Sequence, residues 1–264
     1  MKTSKSPYEL NYKESPIIDT KSIVDYYNSR SSIEKYGYAI DKVRLWKSEE
    51  IFFSKYISKN SKILDLGCGA GRIAINLFRN GYINITGVDI ADNLIKFAKN
   101  YCKKNRLDII FQIGDATHLK FLDSMFDIVI FSYNGLQSIP GEKNRKKCLG
   151  EIYRILNPNG IFLFTAHDRD DSKHQQYWIE EKKRWDNGIQ DKHLEVFGDR
   201  FSLDKTGKIA FCHFSNIGEM EKLLRQNNFQ ILEYARRETL ADESEIVKDF
   251  SSETIFWACR KVGS

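Results

Sequence analysis

The sequence predicts a single α/β domain built on a doubly wound, mostly parallel sheet, and three observations carry that expectation. Between residues 63 and 164, short apolar or β-branched runs alternate with longer amphipathic segments, the pattern of successive βαβ units. The chain has 264 residues, 41% hydrophobic and 29% charged. One core can accommodate that length, since single cores stop growing near ~250–300 residues. With 16 Gly, 4 Pro and no internal repeat, the composition excludes collagen-like and disordered classes.

Residues 1–60 are rich in Tyr, Ser and Lys and are expected to form a helical lid over the ligand edge of the sheet. Two helices are predicted there, residues 23–28 and 38–56, separated near Ser31-Ser32. A core at residues 61–166 follows, with strands expected at 63–66, 83–88, 109–113, 126–131 and 161–165. Residues 72–79 place Ile73, Leu77 and Phe78 on one helical face, and residues 92–105 do the same with Leu94, Ile95, Ala98 and Tyr101. A helix at 145–156 ends in Asn157-Pro158-Asn159-Gly160, a turn signal. The alternation then breaks in an insertion, residues 167–215. It carries a charged helix at 175–185 and extended runs at 194–203 and 208–214, joined by the hairpin turn Lys205-Thr206-Gly207. Residues 216–264 close the domain with a helix at 217–227, N-capped by Ser215, and strands at 229–236 and 254–260.

Lys and Arg outnumber Asp and Glu by 41 to 36. The densest basic stretches, 143–147 and 182–184, are short and interrupted or flanked by acids, which marks solvated helix faces, so nucleic acid is not an expected partner. No apolar run approaches the ~18 residues a spanning helix requires, and the opening segment lacks the apolar centre of a secretory signal. The expectation is a cytoplasmic protein with no membrane contact. Five cysteines (Cys68, Cys102, Cys148, Cys212, Cys259) form no Cys-x-x-Cys pair, so no metal site is expected and the thiols should be reduced.

Chemistry concentrates in Asp65-Leu66-Gly67-Cys68-Gly69-Ala70-Gly71-Arg72, between a predicted strand and a predicted helix. Glycines there let backbone approach a ligand, and the helix N-terminus offers unpaired N–H groups. The spacing is Gly-x-Gly-x-Gly, so neither the dinucleotide fingerprint nor the phosphate-loop pattern is met. Asp89, ending the second strand, can accept both hydroxyls of a ribose or cap the following helix. Gly114-Asp115-Ala116, after the third strand, can meet an adenine edge or form a polar loop. Three strand ends thus point at one crevice, where open α/β sheets bind ligands.

These residues resemble the motifs of class I S-adenosylmethionine-dependent methyltransferases of the small-molecule type. The stretch Asp65 to Gly71 is similar to that family's glycine-rich first motif, Gly87-Val88-Asp89-Ile90 to its acidic second motif, and Gly114-Asp115-Ala116 to its adenine-edge motif. Phe126-Asp127-Ile128-Val129 and Leu156-Asn157-Pro158-Asn159-Gly160 resemble its fourth strand and post-helix turn. The likeness covers residues 63–165 and leaves out the lid and the insertion. It implies a seven-stranded Rossmann-like sheet with an antiparallel end, and S-adenosylmethionine as cofactor, leaving as S-adenosylhomocysteine. Gly67, Gly69 and Gly71 would lie beneath its methionine part, with Cys68 as a small apolar member of the loop and Arg72 opening the helix. Asp65 would orient the loop or receive the ammonium, Asp89 would take the ribose, Ile90, Gly114, Asp115 and Ala116 would meet the adenine, and Ser132 would face the centre.

The implied reaction is in-line methyl transfer to an oxygen or nitrogen of a small-molecule acceptor. His167, directly after the fifth strand, is the candidate general base. Tyr133, Asn134 and Gln137 are candidate acceptor contacts, and His213 beside Phe211 is a candidate pocket wall. Tyr26, Tyr27, Tyr36 and Arg44 of the lid can close on the cofactor. Tyr177, Trp178, Trp185, Phe197 and Phe201 suggest an aromatic acceptor pocket in preference to a platform for stacked bases, and the hairpin strands could instead form the surface of a homodimer. The alternatives are an RNA or protein methyltransferase, or a non-catalytic nucleoside-binding regulator.

Overall fold

In the computed structural model, which describes residues 17–263, the lid holds three helices: α1 (Thr20–Tyr27), α2 (Arg30–Asp41) and α3 (Lys47–Ser54). Two had been expected, and readings that rest on residues 1–16 lie outside the described residues. Ser31 and Ser32 lie inside the first turn of α2 and do not separate helices. The break falls at Asn28-Ser29, because the Ser29 hydroxyl accepts the Ser32 N–H (3.1 Å) and starts a new helix.

The strands are β1 (Ile63–Leu66), β2 (Ile85–Asp89), β3 (Ile110–Ile113), β4 (Phe126–Phe131), β5 (Leu156–Ala166), β6 (Asp199–Leu203), β7 (Ile209–His213), β8 (Phe229–Arg236) and β9 (Ile255–Lys261). Seven pair in the order β3-β2-β1-β4-β5-β9-β8, and β6 and β7 form a separate antiparallel hairpin. Pairing is parallel from β3 through β5 and antiparallel at β5·β9 and β9·β8. The order departs from β1 in both directions, so the carboxyl ends of β1 and β4 flank the point where a crevice must open. The Asn157–Gly160 turn is present as an excursion within β5. Leu156 pairs with Phe126, Ile161 pairs with Ile128, and Asn159 between them takes φ +63°.

The remaining helices are α4 (Arg72–Arg79), α5 (Asp92–Asn105), α6 (Glu142–Ile155), α7 (Gln175–Asp186), α8 (Ile217–Gln226), α9 (Arg237–Leu240) and α10 (Glu245–Phe250). Alternation along the strands feeds two cores. Ile63, Ile128, Ile130 and Leu163 face Trp46, Ile73 and Ile95 from α3's N-cap, α4 and α5. Leu64, Val129, Phe162 and Phe164 face Leu149 and Ile152 of α6 and Leu224 of α8. The N-cap of α8 is Asn216, whose side chain accepts the Glu219 N–H (2.9 Å). The expected cap, Ser215, instead accepts from Gln137 (3.0 Å). A third, small cluster joins Ile23 of α1 to Ile209 and Phe211 of β7, so the lid and the insertion meet.

Steric fit is tightest after β4. A Cβ on Gly135 would lie 1.9 Å from the Phe131 ring, whereas a Cβ on Gly150, on the exposed side of α6, would meet nothing within 4 Å. Gly135→Ala should therefore destabilise the fold by about 1–3 kcal/mol, and Gly150→Ala should stabilise it by roughly 0.5–1 kcal/mol. Denaturant midpoints of the two variants check both signs.

Candidate active site

The crevice is a half-open cavity at the carboxyl ends of β1, β2, β3 and β4, roofed by α1, α2 and α10. Its floor is built by local backbone necessity. Gly67 takes φ +64°, and a Cβ there would stand 2.5 Å from the Phe131 ring. Gly71, at φ +91°, is the N-cap of α4, donates its N–H to the Cys68 carbonyl (2.8 Å), and packs against Phe111. It does not line the cavity, unlike Asp65, Gly67, Cys68, Gly69, Arg72, Asp89, Ile90, Gly114, Asp115, Ala116 and Ser132. Gly71 shapes the loop from below because its left-handed backbone starts the helix.

The three floor carboxylates are held by backbone N–H groups. Asp89 accepts from Gly69 through Oδ2 (2.7 Å) and from Ala91 through Oδ1 (2.8 Å), so it serves both the glycine loop and the start of α5. Asp65 accepts the Ala74 N–H (3.0 Å) in the first turn of α4. Asp115 accepts the N–H and hydroxyl of Thr117, both at 2.8 Å. Burial pushes the Asp65 carboxyl up to about 7, against the opposing pull of the Ala74 bond, and it also raises Asp89. Burial lifts the Cys68 thiol well above the usual range, which leaves it unreactive.

Glu49, a residue that no sequence motif singled out, organises one side of the cavity. Its side chain is fully buried. It takes both Arg72 guanidinium nitrogens (2.6 and 2.7 Å), the Trp46 N–H (2.9 Å) and the Ser132 hydroxyl (2.9 Å). Arg72 also donates to the Arg44 carbonyl (2.7 Å). Burial works against the Arg72 charge, and the Glu49 carboxylate more than offsets it. Arg72 and Ser132 therefore face the cavity with their polar groups bound to the lid. Glu49 stands at the third position of α3, a capping pattern common to many helices, but the sequence predicts one helix over 38–56 and so gives no start at Lys47 for it to cap.

Several expected site residues lie elsewhere. His167 is outside the cavity lining. Its Nδ1 meets the Glu253 carbonyl (3.0 Å), its Nε2 meets the Asn134 side-chain nitrogen (2.9 Å), and its ring stacks on Phe214 at 4.8 Å. A carbonyl partner makes Nδ1 the donor, so the Nε2 lone pair is occupied by Asn134 and no site for an acceptor proton is left. Asn134 and Gln137 serve this same knot. Asn134 also accepts from Thr254 (2.8 Å), and Gln137 accepts the His167 N–H (2.6 Å) and donates to the His167 carbonyl (3.0 Å). His213 is buried between Asp199 (2.8 Å) and Glu219 (2.6 Å), because the hairpin turns it inward to the start of α8. Tyr133 does line the cavity, with its hydroxyl on the Phe250 carbonyl (2.9 Å). Of the lid candidates Tyr27 and Tyr36 line it, whereas Tyr26 does not, and Arg44 directs its Nε to the Asp41 carbonyl (3.1 Å). Trp178 packs on Phe197 and Phe214, and Trp185 on Phe197, in a cluster apart from the cavity.

A glycine loop after β1, a carboxylate ending β2 and an Asp turn after β3, converging at the switch point of a seven-stranded sheet, define a nucleoside-binding α/β enzyme class. The profile of the methyltransferase domain family matches residues 57–253. A demethylmenaquinone methyltransferase from Leptospira interrogans is 34% identical over 147 residues, 54% of each chain, so the match spans about half that relative's length. A phosphoethanolamine N-methyltransferase from Plasmodium falciparum is 26% identical over 196 residues, 74% of this chain and 68% of that one. A crystal structure of a SAM-dependent methyltransferase from Methanosarcina mazei superposes with a TM-score of 0.64 at 21% identity, covering 81% of this chain and 98% of that one. The chain belongs to the methyltransferase domain family, and its fold is that of the class I S-adenosylmethionine-dependent methyltransferases. No helix among the described residues is long and apolar enough to cross a membrane.

Two predictions follow from this geometry. Glu49→Gln leaves the Arg72 charge buried without its counter-ion and should destabilise the fold by about 3 kcal/mol, as read by denaturant unfolding. Burial pulls the His167 imidazole down to about 4, so the unfolded chain binds the extra proton between pH 6.5 and 4. Stability is full above pH 6.5 and falls by up to about 3 kcal/mol as pH drops to 4. Unfolding curves of His167→Gln should lose that part of the slope.

Proposed function

We propose that the protein transfers a methyl group from S-adenosylmethionine to a small-molecule acceptor, with the cofactor on the strand-end floor and the acceptor under the lid. The observation that carries this reading is the division of one cavity into two chemistries. The floor presents three carboxylates and the glycine-loop backbone, whereas the roof presents Tyr27, Tyr36, Tyr133 and Phe250. The donor set fits the cofactor: the Gly67–Gly69 backbone has no side chain to intrude, Asp89 can take ribose hydroxyls, and Asp65 can receive a primary ammonium. When bound, S-adenosylmethionine supplies a methyl carbon on positively charged sulfur.

The chain's own contribution is alignment and exclusion of water. The lid and the insertion act together as the cap, since α1 docks on β7, and the lid also reaches the loop after β4 through the Tyr27 hydroxyl on Ser138 (3.4 Å). Among the described residues no imidazole lines the cavity, and its carboxylates are engaged by backbone N–H groups. An acceptor that binds as a ready nucleophile suits this site, and an oxygen that arrives already ionised meets that condition. The names of the two relatives, a quinone-precursor methyltransferase and an N-methyltransferase, both point to small acceptors.

Calorimetric titration with S-adenosylmethionine, S-adenosylhomocysteine and NAD tests the reading. Micromolar binding of the first two, reduced at least tenfold in Asp89→Ala, is expected; binding of NAD alone would overturn it. The affinity should also fall as pH drops below about 7, approaching tenfold per unit, because the ammonium needs Asp65 ionised. In Asp65→Asn that pH dependence should disappear.

A further inference from the structure

The insertion builds a second groove that shares no lining residue with the cavity at the strand ends. Trp178, Ile179, Lys182 and Lys183 form one wall, at positions that return to the same face of α7, and Arg169 and Phe197 form the other. Arg169 is held there with one edge unused. Its side chain is 11% exposed. Among the described residues Nη1 alone makes the hydrogen bonds of the guanidinium, to the Phe197 carbonyl (3.3 Å), the Phe214 carbonyl (2.9 Å) and the Glu219 carboxylate (3.1 Å). The guanidinium carbon lies 4.6 Å from the Phe197 ring centre. Gly198 permits this approach, since a Cβ there would lie 2.7 Å from Nη1. Nε and Nη2, the edge that matches a carboxylate or phosphate with two parallel N–H bonds, have no acceptor among the described residues, and neither is sealed from solvent.

Trp178 repeats the pattern. It is 5% exposed, and its indole N–H also lacks an acceptor among the described residues. Trp46, Trp185 and Trp257 seal their unpaired N–H groups in the interior, whereas that of Trp178 stays open at the groove. A nearly buried donor without an acceptor costs stability that a ligand can restore. Lys183 adds an ammonium with no carboxylate partner among the described residues, Lys182 is paired with Asp186, and Asp170 is the one carboxylate in the lining.

We propose that this groove is a second ligand site, which takes a small organic oxyanion: a carboxylate or phosphate ester on an apolar body. The oxyanion bridges Nε and Nη2 of Arg169, with the Lys183 ammonium and the Trp178 N–H as the further donors of the groove, and the apolar body lies on Phe197 and Ile179. The site is independent of the methyl-transfer reading, and its ligand is not the methyl acceptor, because the groove and the cofactor floor have no residue in common. Arg169 also holds the Phe214 carbonyl just after β7, the strand on which α1 of the lid packs, so a molecule bound to it bears on the support of the lid.

Phenyl phosphate, phenylacetate, inorganic phosphate and benzylammonium are titrated by calorimetry into the full chain, and the indole N–H resonances of the 4 tryptophans are followed by NMR in the same titrations. At least one of the two aromatic anions should bind, and the tighter of them identifies the headgroup as phosphate ester or carboxylate. Phenyl phosphate should bind more tightly than inorganic phosphate, benzylammonium should not bind, and the Trp178 resonance should move most. Lys183→Glu, at an exposed position, should weaken the aromatic anions about tenfold by charge reversal. Arg169→Lys, which keeps the charge and removes the two-nitrogen edge, should weaken them as well. Should that variant fail to fold, Lys183→Glu and the Trp178 resonance decide. Benzylammonium binding as tightly as the anions, inorganic phosphate binding as tightly as phenyl phosphate, indifference of the anions to Lys183→Glu, or a Trp178 resonance that stays fixed would each overturn the proposal. The binding of S-adenosylhomocysteine is tested separately, so neither result decides the other.

Discussion

Glu49 carries its charge where no water reaches, and much of the cavity's geometry follows from how that charge is satisfied. A buried carboxylate is tolerable only with a counter-ion and hydrogen bonds in good geometry. Here they come from three separate parts of the chain: the guanidinium that opens α4, the hydroxyl that follows β4, and the backbone at the start of α3. Satisfying one group therefore fixes the lid against the glycine loop and against the end of β4. Trp46 adds to this joint, with the Arg72 and Arg237 guanidinium groups 5.0 and 5.4 Å from its ring.

The cavity inherits two characters from its two sources. Strand ends contribute short loops whose carboxylates are oriented by local N–H groups, an arrangement suited to binding hydroxyls and an ammonium. Lid helices contribute the broad faces of tyrosines, because α1 and α2 turn their apolar stripes inward onto the sheet. Packing of α1 on the β6–β7 hairpin then makes the insertion part of the roof's support although its tryptophans lie elsewhere.

The polar knot of His167, Asn134, Gln137 and Thr254 shows the same economy. It joins β5, the loop after β4 and the approach to β9, and every polar side-chain group in it has a partner. A histidine at a strand end looks the same in sequence whether it faces a ligand or a neighbouring carbonyl. Only the neighbours decide, and they arrive from 30 to 86 residues away.

Elements governed by local chemistry were legible in the sequence. β1, β4, α4 and α5 fall where apolar spacing placed them, and the glycine loop, Asp89 and Asp115 converge because parallel strands deliver their carboxyl ends to one edge. Lid helix boundaries were missed because a serine N-cap and a serine-rich linker have the same composition. Glu49, the His167 knot and the burial of His213 depend on contacts between segments far apart in the chain. Periodicity and motif spacing describe what a segment does alone. The partner of a buried charge, and the ring that faces a cation, are set only when distant segments pack.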